Sequence, residues 1–263
     1  YRRIKCMSEN VALSGKGLSF GGSLVRPEAT GFGAVYYLES VLQHEGDTIK
    51  GKTIAASGFG NVCWGICTKA AQLGAKVVTL SGPDGYVYDP EGVCTKEKID
   101  FLLEMRASGH DKVQDYADKF GCQFVAGEKP WGVKADIIMP AATQNDVNME
   151  QAKKIVANGI KYYIEVANMP TTNDALRYLM DQKNMVVAPS KAVNAGGVSV
   201  SGLEMSQNQE HLSWTAEEVD GKLRQIMKNI HDSSAAAAER ATAWATTWLP
   251  APTSWASRRL PTP

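Results

Sequence analysis

Short apolar runs alternate with amphipathic stretches along most of this chain, and this alternation limits the possible fold more than any other feature. Several runs have the length and composition of buried strands: Thr53 to Ser57, Lys76 to Leu80, Ala135 to Met139, Lys161 to Val166 and Met185 to Ala188. Strands that alternate with helices usually pair in parallel and are covered by those helices. The sequence therefore predicts an α/β fold with a doubly wound, mostly parallel sheet of the Rossmann type.

The amphipathic stretches between these runs are predicted to be helices. They extend over about Pro27 to His44, Asn61 to Leu73, Lys96 to Ala107, Val113 to Phe120, Asn148 to Ala157, Asn173 to Met180 and Thr215 to Arg240. Residues 82–95 are rich in Gly, Pro and Asp, and we expect them to form an exposed turn.

Composition argues against several kinds of partner. Basic and acidic side chains number 28 each, so the formal net charge of zero gives no indication of nucleic acid or an anionic membrane. No apolar run reaches the roughly 20 residues that cross a bilayer. The cysteines are scattered and lack the His or second Cys pair of a metal site, so we expect free thiols, a reducing cytoplasm and no metal.

The turn after the first predicted strand has the form of a dinucleotide fingerprint. Gly58-Phe59-Gly60-Asn61-Val62 is followed by Cys63, where the fingerprint has Gly or Ala. Gly58 allows a tight turn, and Gly60 lets backbone N–H groups approach a pyrophosphate at the start of the next helix. A Gly-x-Gly alone is often an ordinary turn, but a strand before it and a helix after it favour cofactor binding.

Asp84 lies 24 residues after Gly60, near the end of the second predicted strand. An acid at about this distance accepts hydrogen bonds from the adenine ribose hydroxyls. No Arg or Lys follows immediately to neutralise a 2′-phosphate, which favours NAD over NADP. The alternative is that Asp84 only forms a Pro-Asp-Gly turn.

Three stretches resemble the cofactor domain of the hexameric bacterial glutamate dehydrogenases. They are Ser19 to Gly33, Gly58 to Val62 and Pro189 to Asn208. The Gly-Phe-Gly turn with Pro83 and Asp84 resembles the NAD-specific members. The resemblance implies oxidative deamination of L-glutamate to 2-oxoglutarate and ammonium with NAD, in a cytoplasmic homo-hexamer.

The resemblance also implies two sets of contact residues. The cofactor-binding set is Thr30, Gly58, Phe59, Gly60, Asn61, Val62, Asp84, Asn168 and Asn194. The substrate-binding set is Ser14, Arg26, Val198 and Ser201. Thr30 and the two Asn residues would contact the nicotinamide end, and the Ser201 hydroxyl would bond the side-chain carboxylate of glutamate. Each of these Ser, Thr and Asn residues could instead be a common cap or turn residue.

The resemblance assigns no catalytic residue to this sequence. The family's catalytic lysine lies in a Pro-Met-Gly-Gly-Ala-Lys-Gly-Gly segment of the substrate domain, and that segment does not occur here. We therefore expect residues 1–26 to be a remnant of that domain and its connector, residues 27–240 to bind NAD, and the chain alone to be inactive. Two alternatives remain: a leucine, valine or phenylalanine dehydrogenase, and a non-catalytic NAD-binding module.

Residues 241–263 differ in character from the rest of the sequence. They are rich in Trp and Pro and lack helical or strand periodicity. A neighbouring reading frame of this stretch is compatible with the closing helix of the glutamate dehydrogenases. We interpret it as an aberrant tail that follows a one-base frameshift near Arg240.

Overall fold

The computed structural model describes residues 13–109 and 112–248, with side chains through Ala238. The expectations for residues 1–12 and for the tail beyond Trp248 lie outside the described residues.

The strands form a single sheet in the order β4-β3-β2-β1-β5-β6-β7. Their bounds are β1 Thr53–Ala56, β2 Lys76–Gly82, β3 Gly85–Tyr88, β4 Gln123–Ala126, β5 Ile137–Met139, β6 Tyr162–Ile164 and β7 Val186–Ala188. Strand β1 pairs in parallel with β2 and β5, and the parallel series continues through β6 to β7. Strand β3 pairs antiparallel with β2 and β4. The predicted mostly parallel sheet is confirmed.

The helices cover both faces of this sheet. Their bounds are α1 Ala29–His44, α2 Asn61–Gln72, α3 Lys96–Ala107, α4 Gln114–Phe120, α5 Met149–Ala157, α6 Asn173–Met180, α7 Ser190–Val193, α8 Ala195–Glu210 and α9 Ala216–Trp248. Successive strand residues point to opposite faces. Ile54 and Ile137 join a large core with α1, α2, α8 and α9, whereas Ala55 and Ile138 join a smaller core with α5 and α6. This division into two cores confirms the doubly wound arrangement.

Helix α1 approaches two other helices so closely that only glycine fits at the contacts. At Gly31, an added Cβ atom would clash with the backbone of α2, lying 2.6 Å from the Ile66 nitrogen. At Gly196, near the start of α8, it would clash with the carbonyl of Ala29 and lie 2.9 Å from the Gly33 Cα atom. The contacts involve the first two turns of α1 and α2 and the first turn of α8. The N-terminal ends of these three helices therefore meet.

Residues 82–95 are not an exposed turn, and that prediction is wrong. They contain strand β3, and the side chains of Val87 and Val93 are fully buried. Pro83 and Asp84 do form a turn, but it is the tight turn of the hairpin between β2 and β3 and not part of a long loop. Strand β4 was also not predicted, because its partner β3 is distant in sequence.

Three helices differ from the sequence prediction. Helices α7 and α8 were not predicted: α7 has only four residues, and Gly196, Gly197 and Gly202 lower the helical propensity of α8. Helix α9 continues to Trp248 and does not end near Arg240. The domain limits and the frameshift stay predictions.

Candidate functional site

The carboxyl ends of β1, β2 and β5 meet at one edge of the sheet and are tied together by two serines. The Ser57 hydroxyl accepts hydrogen bonds from the Ala141 and Ala142 N–H groups at 3.0 and 3.2 Å. The Gly58 N–H donates to the Ser81 hydroxyl at 2.9 Å. Ligands of open α/β sheets bind at the carboxyl edge where the strand order reverses, as it does here on either side of β1.

The two glycines of the Gly-x-Gly turn have different structural roles. Gly58 has a φ of +89°, a left-handed conformation that favours glycine, and an added Cβ would lie 3.3 Å from the Ala141 carbonyl oxygen. Gly60 has an ordinary φ of −84°, and an added Cβ would meet no atom within 4 Å. The fold therefore requires glycine at position 58 but not at position 60.

The space beside Gly60 is at the start of helix α2, between the turn and the cleft. Gly60 is the N-cap residue, and no side chain caps this helix end. The first N–H groups of a helix need acceptors, and the helix dipole favours negative charge there. Asn61 also lines the adjacent cleft, and Val62 follows it in the first turn. The geometry suits a pyrophosphate lying against Gly60.

Asp84 lies in the hairpin between β2 and β3 and is fixed by a third element. Its carboxylate accepts hydrogen bonds from the Val113 and Gln114 N–H groups, at 3.2 and 3.1 Å, at the start of α4. An added Cβ at Gly82 would lie 2.6 Å from an Asp84 carboxylate oxygen and 3.3 Å from the Phe59 ring. Asp84 is thus a turn residue and also a fixed carboxylate beside the Gly-rich turn, so the two interpretations of it are compatible.

Asn168, in the loop after β6, and Asn194, between α7 and α8, form one hydrogen-bonded pair. The Asn194 side-chain amide donates to the Asn168 side-chain oxygen at 2.7 Å. Thr30, at the start of α1, lies against the start of α8, because an added Cβ at Gly197 would clash with its hydroxyl. The structure therefore brings these three residues to the beginning of α8.

Two of the substrate-binding candidates, Ser14 and Arg26, contact a third, Ser201, which is buried on α8. The Arg26 side-chain Nε donates to the Ser201 hydroxyl oxygen at 2.8 Å, and the Ser14 hydroxyl donates to it at 3.0 Å. Two accepted bonds leave the Ser201 hydrogen free to donate. Arg26 lines a cleft of about 490 Å³ together with Asn61, and Val198, one turn before Ser201, is 71% exposed.

Sequence reasoning missed a buried ion pair beside this cluster. Glu204 has 0% exposure and accepts hydrogen bonds from the Lys16 ammonium at 2.7 Å, from the Gly15 N–H at 2.8 Å and from the Lys16 N–H at 3.3 Å. Burial raises the pKa of Glu204, but these hydrogen bonds outweigh it, and the pKa is lowered below 4.5. Ser201, Glu204 and Asn208 lie on one face of α8, and Asn208 donates to the Gly21 carbonyl at 2.8 Å. Their i, i+3, i+7 spacing could have indicated a polar face of this helix, although not the partner Lys16.

We expect Glu204→Gln to lower the free energy of unfolding by about 2 kcal/mol at pH 7, because it removes the charge that Lys16 and the backbone N–H groups stabilise. The pKa of Glu204 is lowered in the folded state, so its stabilisation is fully present above pH 4.5 and is lost as the pH falls through the folded value. The measurement is urea unfolding of both proteins at pH 7 and at about pH 3.5.

Glu210→Gln is the matched control, since Glu210 is exposed on the same helix. It should change stability by less than about 0.5 kcal/mol at either pH. A Glu204→Gln loss of equal size at both pH values would contradict the role of the ion pair.

The described part of the chain contains no group of three or more His, Cys, Asp or Glu side chains that could hold a metal ion. Within the same residues, no helix combines the length and the apolar character that a membrane crossing requires.

Cys63, Cys67, Cys94 and Cys122 are free thiols. The residues brought together at the site supply backbone N–H groups, amides, hydroxyls and a few charged side chains.

Comparisons with known proteins agree with this geometry. The family model for Glutamate/Leucine/Phenylalanine/Valine dehydrogenase matches residues 21–248. The NAD-specific glutamate dehydrogenase of Clostridium symbiosum is 74% identical over 240 residues, which are 91% of this chain and 53% of that protein. That of Bacteroides fragilis is 60% identical over 219 residues, 83% of this chain and 49% of that protein. A solved glutamate dehydrogenase structure has a TM-score of 0.89 at 74% identity, over 91% of this chain and 54% of its own. The chain spans about half the length of the curated relatives it matches.

Proposed function

Because this chain belongs to the Glutamate/Leucine/Phenylalanine/Valine dehydrogenase family, we propose that it is the cofactor half of an NAD-dependent glutamate dehydrogenase. The enzyme would oxidise L-glutamate to 2-oxoglutarate and ammonium. The observation that carries the proposal is the uncapped first turn of α2 at Gly60, which leaves room for a pyrophosphate beside the fixed carboxylate of Asp84.

In the proposed binding mode, NAD lies along the carboxyl edge of the sheet, and each part of it contacts different residues there. Backbone N–H groups of Asn61 and Val62 would hold the pyrophosphate, and the Asp84 carboxylate would accept from the adenine ribose hydroxyls. Phe59, whose ring lies close to Gly82, would border the ribose. Asn168 and its partner Asn194 would hold the nicotinamide carboxamide together with the Thr30 hydroxyl, which lies against the start of α8.

The proposed substrate site is the Arg26–Ser201 cluster. The Ser201 hydroxyl would donate to the side-chain carboxylate of glutamate, because Arg26 and Ser14 already occupy its acceptor positions. Val198 would cover the aliphatic part of the substrate. When bound, NAD supplies the hydride acceptor for oxidation at the glutamate α-carbon. We assign no general acid or base to this chain, because the lysine segment that provides it in the family does not occur in the sequence.

The cofactor proposal is tested by titrating the chain with NADH and NADPH and following tryptophan fluorescence. We expect saturable NADH binding and weaker binding of NADPH, because the 2′-phosphate would approach the negative Asp84. Equal affinities would contradict the proposed role of Asp84, and no binding of either would contradict the function.

Asp84→Ser is expected to raise the affinity for NADPH by about tenfold, which corresponds to about 1.4 kcal/mol of removed repulsion. Affinity for NADH should fall by a smaller factor, because one ribose acceptor is lost. Calorimetric titration with each nucleotide measures both effects. Asp84→Asn is the control that removes the charge but keeps the shape, and it should also raise NADPH affinity. Unchanged NADPH affinity in both variants would show that the 2′-phosphate does not lie near this residue.

The substrate proposal is tested with a chimera in which this chain replaces the matching 240 residues of the Clostridium symbiosum enzyme. We expect glutamate-dependent NADH formation, with leucine, valine and phenylalanine poorer by at least about tenfold, because a buried polar cluster disfavours an apolar side chain. Preference for an apolar amino acid would favour the other dehydrogenases of the family. An inactive chimera that still binds NADH would favour a non-catalytic NAD-binding module.

We also propose a homo-hexamer in the cytoplasm for the active enzyme. The free thiols are those of a reducing compartment. Sedimentation equilibrium of the chimera measures its assembly state, and a stable monomer with full activity would contradict the hexamer.

A further inference from the structure

The side-chain amides of Asn168 and Asn194 form a pair with a defined chemical character. One amide donates to the other at 2.7 Å. Whichever way the two amides are oriented, this single bond leaves one carbonyl acceptor and free N–H donors on the pair. A carboxamide group carries the same complement of one acceptor and one donor group. The free acceptor and the free donors of the pair can bind the donor and the acceptor of one carboxamide at the same time. They can do so only if the distance between the two side-chain amides is kept.

Each asparagine is held by a different part of the fold. The loop that carries Asn168 is attached to the end of β5, because the Val166 and Ala167 N–H groups both donate to the Pro140 carbonyl, at 3.1 and 2.9 Å. Asn194 is attached to α7, because its N–H donates to the Ser190 carbonyl at 2.9 Å. The spacing of the amides therefore depends on how these two parts are joined.

Glu165 joins them at a point three residues before Asn168. Its carboxylate accepts a hydrogen bond from the Ser190 N–H at 3.2 Å, and its own N–H donates to the Ala188 carbonyl at 3.1 Å. The side chain is 3% exposed, and its second oxygen is buried with no hydrogen-bond partner among the described residues.

Burying the Glu165 carboxylate carries a desolvation cost, which appears as a raised pKa. Burial raises the pKa of its carboxyl group, and the nearby Thr171 hydroxyl and the Ser190 N–H only partly oppose this. An apolar side chain of similar volume would avoid that cost, so packing does not account for a glutamate here.

We propose that Glu165 is a positioning residue: through Ser190 it sets the spacing of the Asn168–Asn194 pair, and so the contribution of the nicotinamide carboxamide to cofactor affinity. This inference rests on the proposed binding of NAD. It assigns to Glu165 no contact with the cofactor and no effect on the adenosine or pyrophosphate portions.

The test compares NADH with ADP-ribose, which lacks the nicotinamide, by calorimetric titration of the chain. Glu165→Leu removes the acceptor and keeps a similar volume. Ser190→Pro removes the donor N–H at the first position of α7, where proline is well tolerated, and leaves Glu165 in place. In both variants we expect the ratio of the ADP-ribose dissociation constant to the NADH dissociation constant to fall about fivefold, with ADP-ribose affinity within twofold of the wild type.

Two conservative variants are the controls. Glu165→Gln keeps a carbonyl acceptor for the Ser190 N–H, and Ser190→Ala keeps the N–H itself, so the ratio should stay within about twofold of the wild type in both. Circular dichroism shows whether each variant folds. If Glu165→Leu does not fold, the ratio measured for Ser190→Pro alone tests the positioning role.

An unchanged ratio in the folded variants would overturn the positioning role, and so would an equal loss of affinity for both ligands. A wild-type ratio of one would overturn it as well, since the carboxamide would then contribute nothing, while NAD binding would stand. If the wild-type chain bound neither ligand, the proposed function itself would fail.

Discussion

Gly60→Ala is expected to weaken NADH binding about a hundredfold, a loss of about 2.7 kcal/mol, while the fold is retained. An added Cβ would meet no protein atom within 4 Å, and the φ of −84° suits any residue. The methyl group would instead occupy the space proposed for the pyrophosphate. Alanine is a poorer N-cap than glycine, so we expect a stability loss of no more than about 1 kcal/mol. Calorimetric titration with NADH and urea unfolding of the same protein measure the two effects.

Gly58→Ala is the control for this prediction, since it lies two positions earlier in the same turn. A left-handed φ of +89° costs a residue with a Cβ about 1–2 kcal/mol, and the methyl group would press on the Ala141 carbonyl. We therefore expect Gly58→Ala to lose stability, and Gly60→Ala mainly to lose ligand affinity. NADH affinity of Gly60→Ala equal to that of the wild type would mean that the diphosphate lies elsewhere.

Gly196→Ala is expected to lower the free energy of unfolding by about 3 kcal/mol, because overpacking at a rigid contact forces the backbone to move. The added Cβ would clash with the Ala29 carbonyl oxygen and lie 2.9 Å from the Gly33 Cα atom. Both neighbours are backbone atoms of α1, so no side-chain rotation relieves the contact. Urea unfolding at pH 7 measures the loss.

Gly202→Ala is the matched control on the same helix. No atom lies within 4 Å of an added Cβ at Gly202, so alanine should stabilise α8 by up to about 1 kcal/mol through its higher helical propensity. A Gly196→Ala protein as stable as the Gly202→Ala protein would show that α1 and α8 are not locked together at this glycine.

Elements with strong local signals were predictable from the sequence. Helix α6 has the predicted bounds Asn173–Met180, and α5 begins with the capping box of Asn148 and Gln151. Strands β3 and β4 were not predictable in this way, because β3 is held by antiparallel pairing with β2 on one side and with the distant Gln123–Ala126 strand on the other. Local pattern carries no information about such pairing.

The candidate site shows the same division. The Gly58–Val62 turn has a local motif with a physical explanation, and the structure gives it the expected strand before and helix after. Glu204 and Lys16 are 188 positions apart in sequence, so no local pattern could show that they pair. The Glu165–Ser190 contact escaped notice for the same reason. Buried polar contacts between segments that are distant in sequence can be identified only in the folded structure.

The meeting of three helix ends at one edge has a consequence for how this site responds to its surroundings. Part of its attraction for an anion would arise from peptide dipoles at the starts of α1, α2 and α8, which have no proton to gain or lose. Acid does not remove these dipoles, and no enzyme that modifies side chains can neutralise them. The attraction that these dipoles exert on a phosphate group would persist for as long as the main chain keeps its shape.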